Sequence, residues 1–127
     1  MVLIDDSPDV RYLLNTFLTA DGGFQVVGEA GDPRRGRSLV RHMRPDLAIV
    51  DLALGRHDGI ALVRSLRAGR PELVIAVVSG FVDEQVRSAA LAAGADVVAA
   101  KQQLTDDLIE VLADASRDRR RDAVPTT

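Results

Sequence analysis

The stretch Leu47-Ala48-Ile49-Val50-Asp51 decides the fold that we expect for this chain. Four consecutive apolar residues, two of them β-branched, are typical of a strand that is buried on both faces, as in a parallel sheet. This strand ends directly on the carboxylate of Asp51. Because open α/β folds place their sites at the carboxyl ends of the strands, the sequence predicts a functional site around this acid.

Five short apolar strands alternate with five helical patterns along the sequence. The predicted strands span residues 1–4, 24–27, 47–50, 73–78 and 97–100. Gln25 interrupts the second apolar run, as an edge strand permits. The alternation indicates βαβ units with right-handed crossovers, and therefore a doubly wound α/β fold with a five-stranded parallel sheet and five helices.

Capping residues and apolar spacing predict where the helices lie. Ser7 or Asp6 can cap the first helix, Asp32 the second and Asp83 the fourth, while Asp58 is better explained as a cap than as a ligand. Gly94 suits the end of the fourth helix. The apolar faces are expected to contain Val10, Leu13, Leu14, Phe17 and Leu18; Leu39, Val40 and Met43; Ile60, Val63 and Leu66; Val86, Ala89, Ala90 and Ala93; and Leu104, Leu108, Val111, Leu112 and Ala115.

Composition limits the classes of protein to which the chain can belong. Its 127 residues, 46% of them hydrophobic, suffice for one core, and we expect a domain over residues 1–115 followed by a polar C-terminal tail or linker over residues 116–127. A net charge of -3 gives no broad attraction to nucleic acid or to anionic membranes. The absence of cysteine excludes disulfides and thiolate chemistry. With no signal peptide and no apolar run of ~20 residues, a cytoplasmic location without membrane contact is expected.

Four of the five predicted strands end in side chains that carry chemistry. These are Asp5-Asp6, Asp51, Ser79 and Lys101, and in a parallel sheet they meet at one edge. Three gathered carboxylates repel one another unless a cation neutralises them, and oxygen ligands without His or Cys favour Mg²⁺. A carboxylate beside Mg²⁺ and an ammonium group can act as a nucleophile toward phosphorus.

Taken singly, each of these residues has a simpler structural explanation. An Asp after a strand is most often a turn or capping residue, the Ser79 hydroxyl can bond its own loop, and Lys101 alone fits a surface lysine. The joint pattern favours function, because chance would have to place an acid pair, an acid, a hydroxyl and a lysine at the ends of strands one, three, four and five.

With these motifs in order, the sequence resembles the receiver domain of bacterial two-component response regulators over roughly residues 1 to 114. The resemblance rests on Val2-Leu3-Ile4-Asp5-Asp6-Ser7, on Asp51-Leu52-Ala53-Leu54 with Asp58-Gly59 downstream, on Ser79-Gly80, and on Gly94-Ala95-Asp96 leading to Lys101. The segment from Phe24 to Ala30 is similar to receivers that precede a LuxR-type helix-turn-helix domain. No such domain occurs in these 127 residues, so DNA contact is expected only through an output domain outside them.

The resemblance implies a flavodoxin-like sheet of strand order 2-1-3-4-5 and a phosphoacceptor module that is not an enzyme with its own substrate turnover. It implies that Asp51 accepts a phosphoryl group from a histidine kinase and that Ser79 and Lys101 bind the phosphoryl oxygens. The metal ligands that it implies for Mg²⁺ are Asp5, Asp6, Asp51 and the backbone carbonyl of Ala53. A homodimer through the fourth helix, fifth strand and fifth helix is a further expectation.

Three positions depart from the pattern of the family. Val98 stands where receivers usually carry the aromatic switch residue, Gln102 stands where proline usually follows the lysine, and Gly55-Arg56 replaces Pro-Gly. These departures keep open a second hypothesis, a pseudo-receiver that binds partners without phosphorylation. A haloacid-dehalogenase-like phosphohydrolase is a third, although that family carries Asp-x-Asp after its first strand, whereas Asp5 and Asp6 are adjacent.

Overall fold

The computed structural model describes residues 1–20, 23–54, 57–103, 110–115 and 117–118. The strands are β1 (Val2–Ile4), β2 (Gly28–Ala30), β3 (Leu47–Val50), β4 (Ala53–Leu54), β5 (His57–Asp58), β6 (Val74–Ser79) and β7 (Val97–Ala100). Five of them form one parallel sheet in the order β2-β1-β3-β6-β7, while β4 and β5 pair as a separate antiparallel ribbon. Counted within the sheet alone, this is the predicted order 2-1-3-4-5, and the doubly wound, flavodoxin-like α/β fold is confirmed.

Helices cover both faces of the sheet. They are α1 (Pro8–Thr19), α2 (Pro33–Met43), α3 (Gly59–Gly69) and α4 (Glu84–Ala93), with a fifth helical segment at residues 110–115 and 117–118. Buried side chains of α2, α3 and α4 share one core with the sheet, whereas α1 and the fifth segment bury Leu14, Leu18 and Leu112 on the opposite face. Some predictions concern residues that the structure does not describe, namely Leu104, Leu108 and residues 55–56. No helix in the described part of the chain has the length and apolar character needed to cross a bilayer.

The predicted helix caps are confirmed, and the choice left open at α1 is resolved. The Ser7 hydroxyl accepts a hydrogen bond from the Val10 amide, so Ser7 is the cap and Asp6 is not. Carboxylates cap the next three helices: Asp32, Asp58 and Asp83. Each carboxylate satisfies amide donors that a helix start leaves without partners.

The predicted position of the second strand is wrong, because the strand begins four residues later than expected. Residues 24–27 precede the strand, and β2 is Gly28–Ala30. The reason is register, because β1 begins with the pair Val2–Gly28. The preceding residues bond Met1, which lies before β1: Met1 donates from its N-terminus to the Gln25 carbonyl and accepts from the Val27 amide. Phe24 and Val26 instead pack as partly buried side chains against the core.

The apolar faces of the helices are narrower than predicted. Leu13, Met43, Ala89 and Val111 were expected to be buried, but all four are exposed. On α1 the buried stripe is centred on Leu14 and Leu18, and Leu13 lies about 100° around the helix from Leu14. Only the central part of the stripe is buried, and residues at its margin stay in solvent.

The guanidinium of Arg67 on α3 joins three other parts of the chain. It donates to the Gly94 carbonyl from Nε at 3.0 Å and from Nη2 at 2.9 Å, and Nη2 lies 2.7 Å from Asp96 Oδ2. Nη1 donates to the Leu73 carbonyl at 2.6 Å, and Asp96 Oδ2 also accepts from the Ile75 amide. Arg67 thus fixes the end of α4, the start of β6 and the approach to β7 relative to one another.

Replacing Arg67 by lysine should lower the free energy of unfolding by about 2–3 kcal/mol, because an ammonium cannot reproduce the planar fork and leaves shielded carbonyls without donors. Urea denaturation followed by circular dichroism measures this change. The matched control is Arg64→Lys, on the same helix but exposed, which should change stability by less than about 0.5 kcal/mol. Equal stability of the two variants would contradict the role assigned to Arg67.

Candidate functional site

Two acids lie side by side where β1 and β3 end. Ile4 pairs with Val50 in the parallel register, so Asp5 and Asp51 leave the sheet at the same level. The Asp51 amide donates to the Ile4 carbonyl at 2.9 Å, and the Asp5 amide donates to the Ala30 carbonyl at 3.0 Å. Both residues are almost completely buried, with 2% and 3% of their surfaces exposed. The sheet itself therefore fixes the position of both carboxylates.

Asp6 completes an acidic cluster with these two residues. One carboxylate oxygen from each of Asp5, Asp6 and Asp51 lies within 4.8 Å of the others. Asp6 is exposed, in contrast to its two neighbours, so the cluster is open to solvent on its side. The predicted convergence of the three acids is confirmed.

Lys101 brings a positive charge to both buried acids. Its Nζ atom lies 2.9 Å from Asp51 Oδ2 and 3.1 Å from Asp5 Oδ2. The lysine follows β7 directly and begins a short 3₁₀ turn, Lys101–Gln103. Its side chain is 26% exposed, so the ammonium reaches the acids from the margin of the site.

Burial and neighbouring charges set the protonation of this cluster. Burial is the largest influence on Asp5 and raises the pKa of its carboxyl; the Ser7 amide and Lys101 oppose this, and the Asp51 charge adds to it. Burial works to lower the pKa of Lys101, but the neighbouring carboxylates of Asp51 and Asp5 outweigh burial and raise that pKa. The side chain of Lys101 is therefore protonated and positively charged at neutral pH.

The two carboxylates have one oxygen each that is held by the backbone. Asp5 Oδ1 accepts from the Ser7 amide at 2.9 Å, and Asp51 Oδ1 accepts from the Ala53 amide at 3.0 Å. Asp5 Oδ2 is buried and, although it lies near the Lys101 ammonium, it has no hydrogen-bond donor among the described residues. A buried carboxylate oxygen without a donor, in a cluster made only of oxygen ligands, fits a bound Mg²⁺ ion.

Ser79 and Val98 lie on the strands next to this cluster. Ser79 is the last residue of β6, is buried, and pairs in register with Ala100, which precedes Lys101. The hydroxyl therefore belongs to the same edge of the sheet as the acids. Val98 is buried on β7, and its carbonyl accepts a hydrogen bond from Arg87 Nη1 on α4 at 3.1 Å.

One residue that supports the site, Arg11, was not anticipated from the sequence, and the structure gives a reason for a second, Gly59 of the Asp58-Gly59 motif. Arg11 on α1 donates from Nη1 to the Asp5 carbonyl, and its Nε lies 3.2 Å from Glu29 on β2. Gly59 starts α3 so close to Leu52 that an added Cβ would lie 2.4 Å from the Leu52 Cα atom. Arg11 lies one turn after its helix cap, but its contacts depend on the pairing of β1 with β2, which local sequence does not reveal.

The strand order defines a flavodoxin-like α/β fold, and a cluster of three acids with a lysine lies at the carboxyl ends of its strands. The family model described as "Response regulator receiver domain" matches residues 1–113, and the chain belongs to this family. It is thus a receiver domain of the two-component response regulators. Phosphorylation and Mg²⁺ binding at an acidic cluster are general features of this family.

Solved structures and curated relatives agree with this assignment. A CheY-like receiver domain protein from Methanospirillum hungatei JF-1 superposes with a TM-score of 0.86 at 21% identity, covering 96% of each chain. A LuxR family response regulator from Aurantimonas sp. SI85-9A1 gives 0.79 at 24% identity, covering 98% of this chain and 96% of that one. A protein-glutamate methylesterase/protein-glutamine glutaminase from Anaeromyxobacter dehalogenans is 36% identical over 91% of this chain. This chain spans only 35% of that relative's length.

Without metal, the stability of the protein should fall as the pH rises through the raised pKa of Asp5. The folded state holds this proton more tightly than the unfolded chain, so the contribution is fully present below the ordinary Asp pKa and is lost above the raised one. Asp5→Asn should weaken this dependence and raise the Tm at pH 7 in a chelating buffer. Thermal unfolding across pH 3–8 measures both effects. An unchanged pH profile in the variant would contradict the role of Asp5.

Proposed function

We propose that Asp51 accepts a phosphoryl group from the phosphohistidine of a histidine kinase. The observation that carries this proposal is the buried Asp51 carboxylate, 2.9 Å from the Lys101 ammonium and clustered with two further acids. An oxygen of Asp51 attacks phosphorus, the phosphorus–nitrogen bond breaks, and its electron pair goes to the imidazole nitrogen. The product is an aspartyl phosphate at the carboxyl edge of the sheet.

The surrounding residues prepare this transfer. The Ala53 amide orients Asp51 through Oδ1, so the nucleophile needs little rearrangement. Lys101 and Ser79 bind the oxygens of the transferred group, where an ammonium and a hydroxyl stabilise the charge that develops. Asp5, Asp6, Asp51 and the carbonyl of Ala53 would hold Mg²⁺, which would supply positive charge beside the phosphoryl oxygens.

The same proposal extends to partners and location. The phosphoryl donor is a histidine kinase, and the protein acts in the cytoplasm. Contact with DNA occurs only through an output domain of the LuxR type. Phosphorylation biases a surface made by α4, β7 and the fifth helical segment, through which two copies can form a homodimer. Residues 1–115 act as the receiver domain, and residues 116–127 serve as its tail or linker.

One observation favours a second candidate, a pseudo-receiver that works without phosphate. Val98 replaces the usual aromatic switch residue, and its carbonyl is tied to Arg87 on α4 at 3.1 Å. Under this alternative, α4 and β7 keep one arrangement whatever the state of Asp51. Asp51→Asn would then leave binding to a partner unchanged.

Incubation with Mg²⁺ and phosphoramidate should add one phosphoryl group to Asp51. Intact-mass and peptide mass spectrometry locate the group, and hydroxylamine should release it because it is an acyl phosphate. Asp51→Asn should abolish the labelling, whereas Asp9→Asn should not, because Asp9 is an exposed acid in the first turn of α1 outside the acidic cluster. Equal labelling of all three proteins would contradict the proposal.

Millimolar Mg²⁺ should raise the Tm of the protein, because a ligand that binds only the folded state stabilises it; at a concentration 100 times the Kd the gain is about 2.7 kcal/mol. Differential scanning fluorimetry with and without Mg²⁺ measures the shift. Asp6→Asn should remove most of it, while Asp9→Asn should keep it. No shift in the unaltered protein would argue against a metal site at these acids.

A further inference from the structure

A cavity of about 540 Å³ lies between α2 and α3, away from the acidic cluster. It is lined by the middle and last turn of α2, the last turn of α3 and the loop that follows α3, including Arg37, Arg41, Arg44, Arg70 and Glu72. Because the helices of a βαβ unit run opposite to the strands, these turns lie at the amino edge of the sheet, opposite Asp51. The cavity therefore does not belong to the phosphoacceptor site.

The lining of the cavity is strongly cationic although the chain as a whole is acidic. Four arginines against one glutamate give the lining a formal charge of +3, whereas the whole chain carries -3. Residues 33–44 contain five arginines and no acid. Guanidinium groups gathered around one cavity make the local electrostatic potential positive, and this potential attracts an anion.

Most of these guanidinium groups are available to a ligand. Within the described residues, the side chains of Arg37, Arg41 and Arg44 make no hydrogen bond and no ion pair. Arg70 pairs with Glu72 at 3.0 Å through Nε, but its Nη1 atom is buried and has no hydrogen-bond partner in that same part of the chain. A buried donor without a partner is costly in a folded protein and marks a place where an acceptor is missing.

Favourable placement near helix ends does not explain the whole cluster. A cation in the last turn of a helix interacts well with the helix dipole, which accounts for Arg41. Arg37 lies in the middle of α2, beyond the reach of that effect. Arg44 adopts a left-handed conformation with φ 47°, where glycine or asparagine is usual, so the chain has a large cation at a position whose backbone favours a small residue.

We propose that this cavity, the arginine cleft, binds a small anion of nucleotide size that carries at least two phosphoryl groups. The guanidinium fork matches phosphate oxygens in pairs, and several forks around one cavity suit a chain of phosphates. The volume lies in the range of small-molecule sites and is small for a folded protein segment. Buried Val40 and Leu66 add apolar surface beside the arginines, against which the rest of such a ligand can pack.

Isothermal titration calorimetry in low salt and without divalent metal tests the cleft, with inorganic pyrophosphate and ATP as probes. Both should bind, and added NaCl should weaken binding. The double variant Arg37→Gln/Arg41→Gln should weaken binding about tenfold or more, because charged hydrogen bonds are lost. The control Arg34→Gln/Arg35→Gln removes the same charge from exposed positions of α2 outside the cleft and should stay within about twofold of the parent.

Four outcomes would overturn the proposal. These are no binding of either phosphate probe, equal loss in both double variants, adenosine binding as tightly as ATP, or an oligoglutamate peptide binding more tightly than ATP. The last would assign the cleft to an acidic protein segment. Labelling of Asp51 by phosphoramidate should be unchanged in Arg37→Gln/Arg41→Gln, so failure of this inference and failure of the proposed function give different results.

Discussion

The structure depends on holding two buried carboxylates side by side against their mutual repulsion. Asp5 and Asp51 leave adjacent parallel strands at one level, and each is fixed by a backbone hydrogen bond to the neighbouring strand. Lys101 offsets part of the cost, with its ammonium about equally distant from both acids. The protein thus stores an unfavourable charge arrangement that a cation or a phosphoryl group with its metal can relieve.

The sequence predicted those parts of the molecule in which local pattern and global fold agree. Buried strands that end on acids, and helices that begin on Asp or Ser, appear where they were expected because each signal lies within a few residues. The second strand was misplaced because its position depends on where β1 begins to pair, which is not a local property. Arg11 and Arg67 escaped notice for the same reason, since their partners lie 18 to 29 residues away or belong to other elements.

Charge is separated across the sheet. The acids gather at the carboxyl ends of the strands, and the arginine cleft lies at the opposite ends, between the last turns of α2 and α3. The helices that bridge the two regions are packed into one shared core, which includes Val40, Val63 and Leu66. One packed layer of side chains therefore lies between the two charged regions.

The close approach of Gly59 to Leu52 distinguishes the two sides of the region around Asp51. The Gly59 amide donates to the Leu52 carbonyl at 3.2 Å, and no side chain larger than hydrogen fits between them. On this flank, the segment after Asp51 and the start of α3 form one stiff unit. Lys101 approaches from the other flank, on a short turn after an edge strand of the sheet. The two sides of Asp51 are therefore built differently: a contact that only glycine permits lies on one side, and a lysine that follows an edge strand lies on the other.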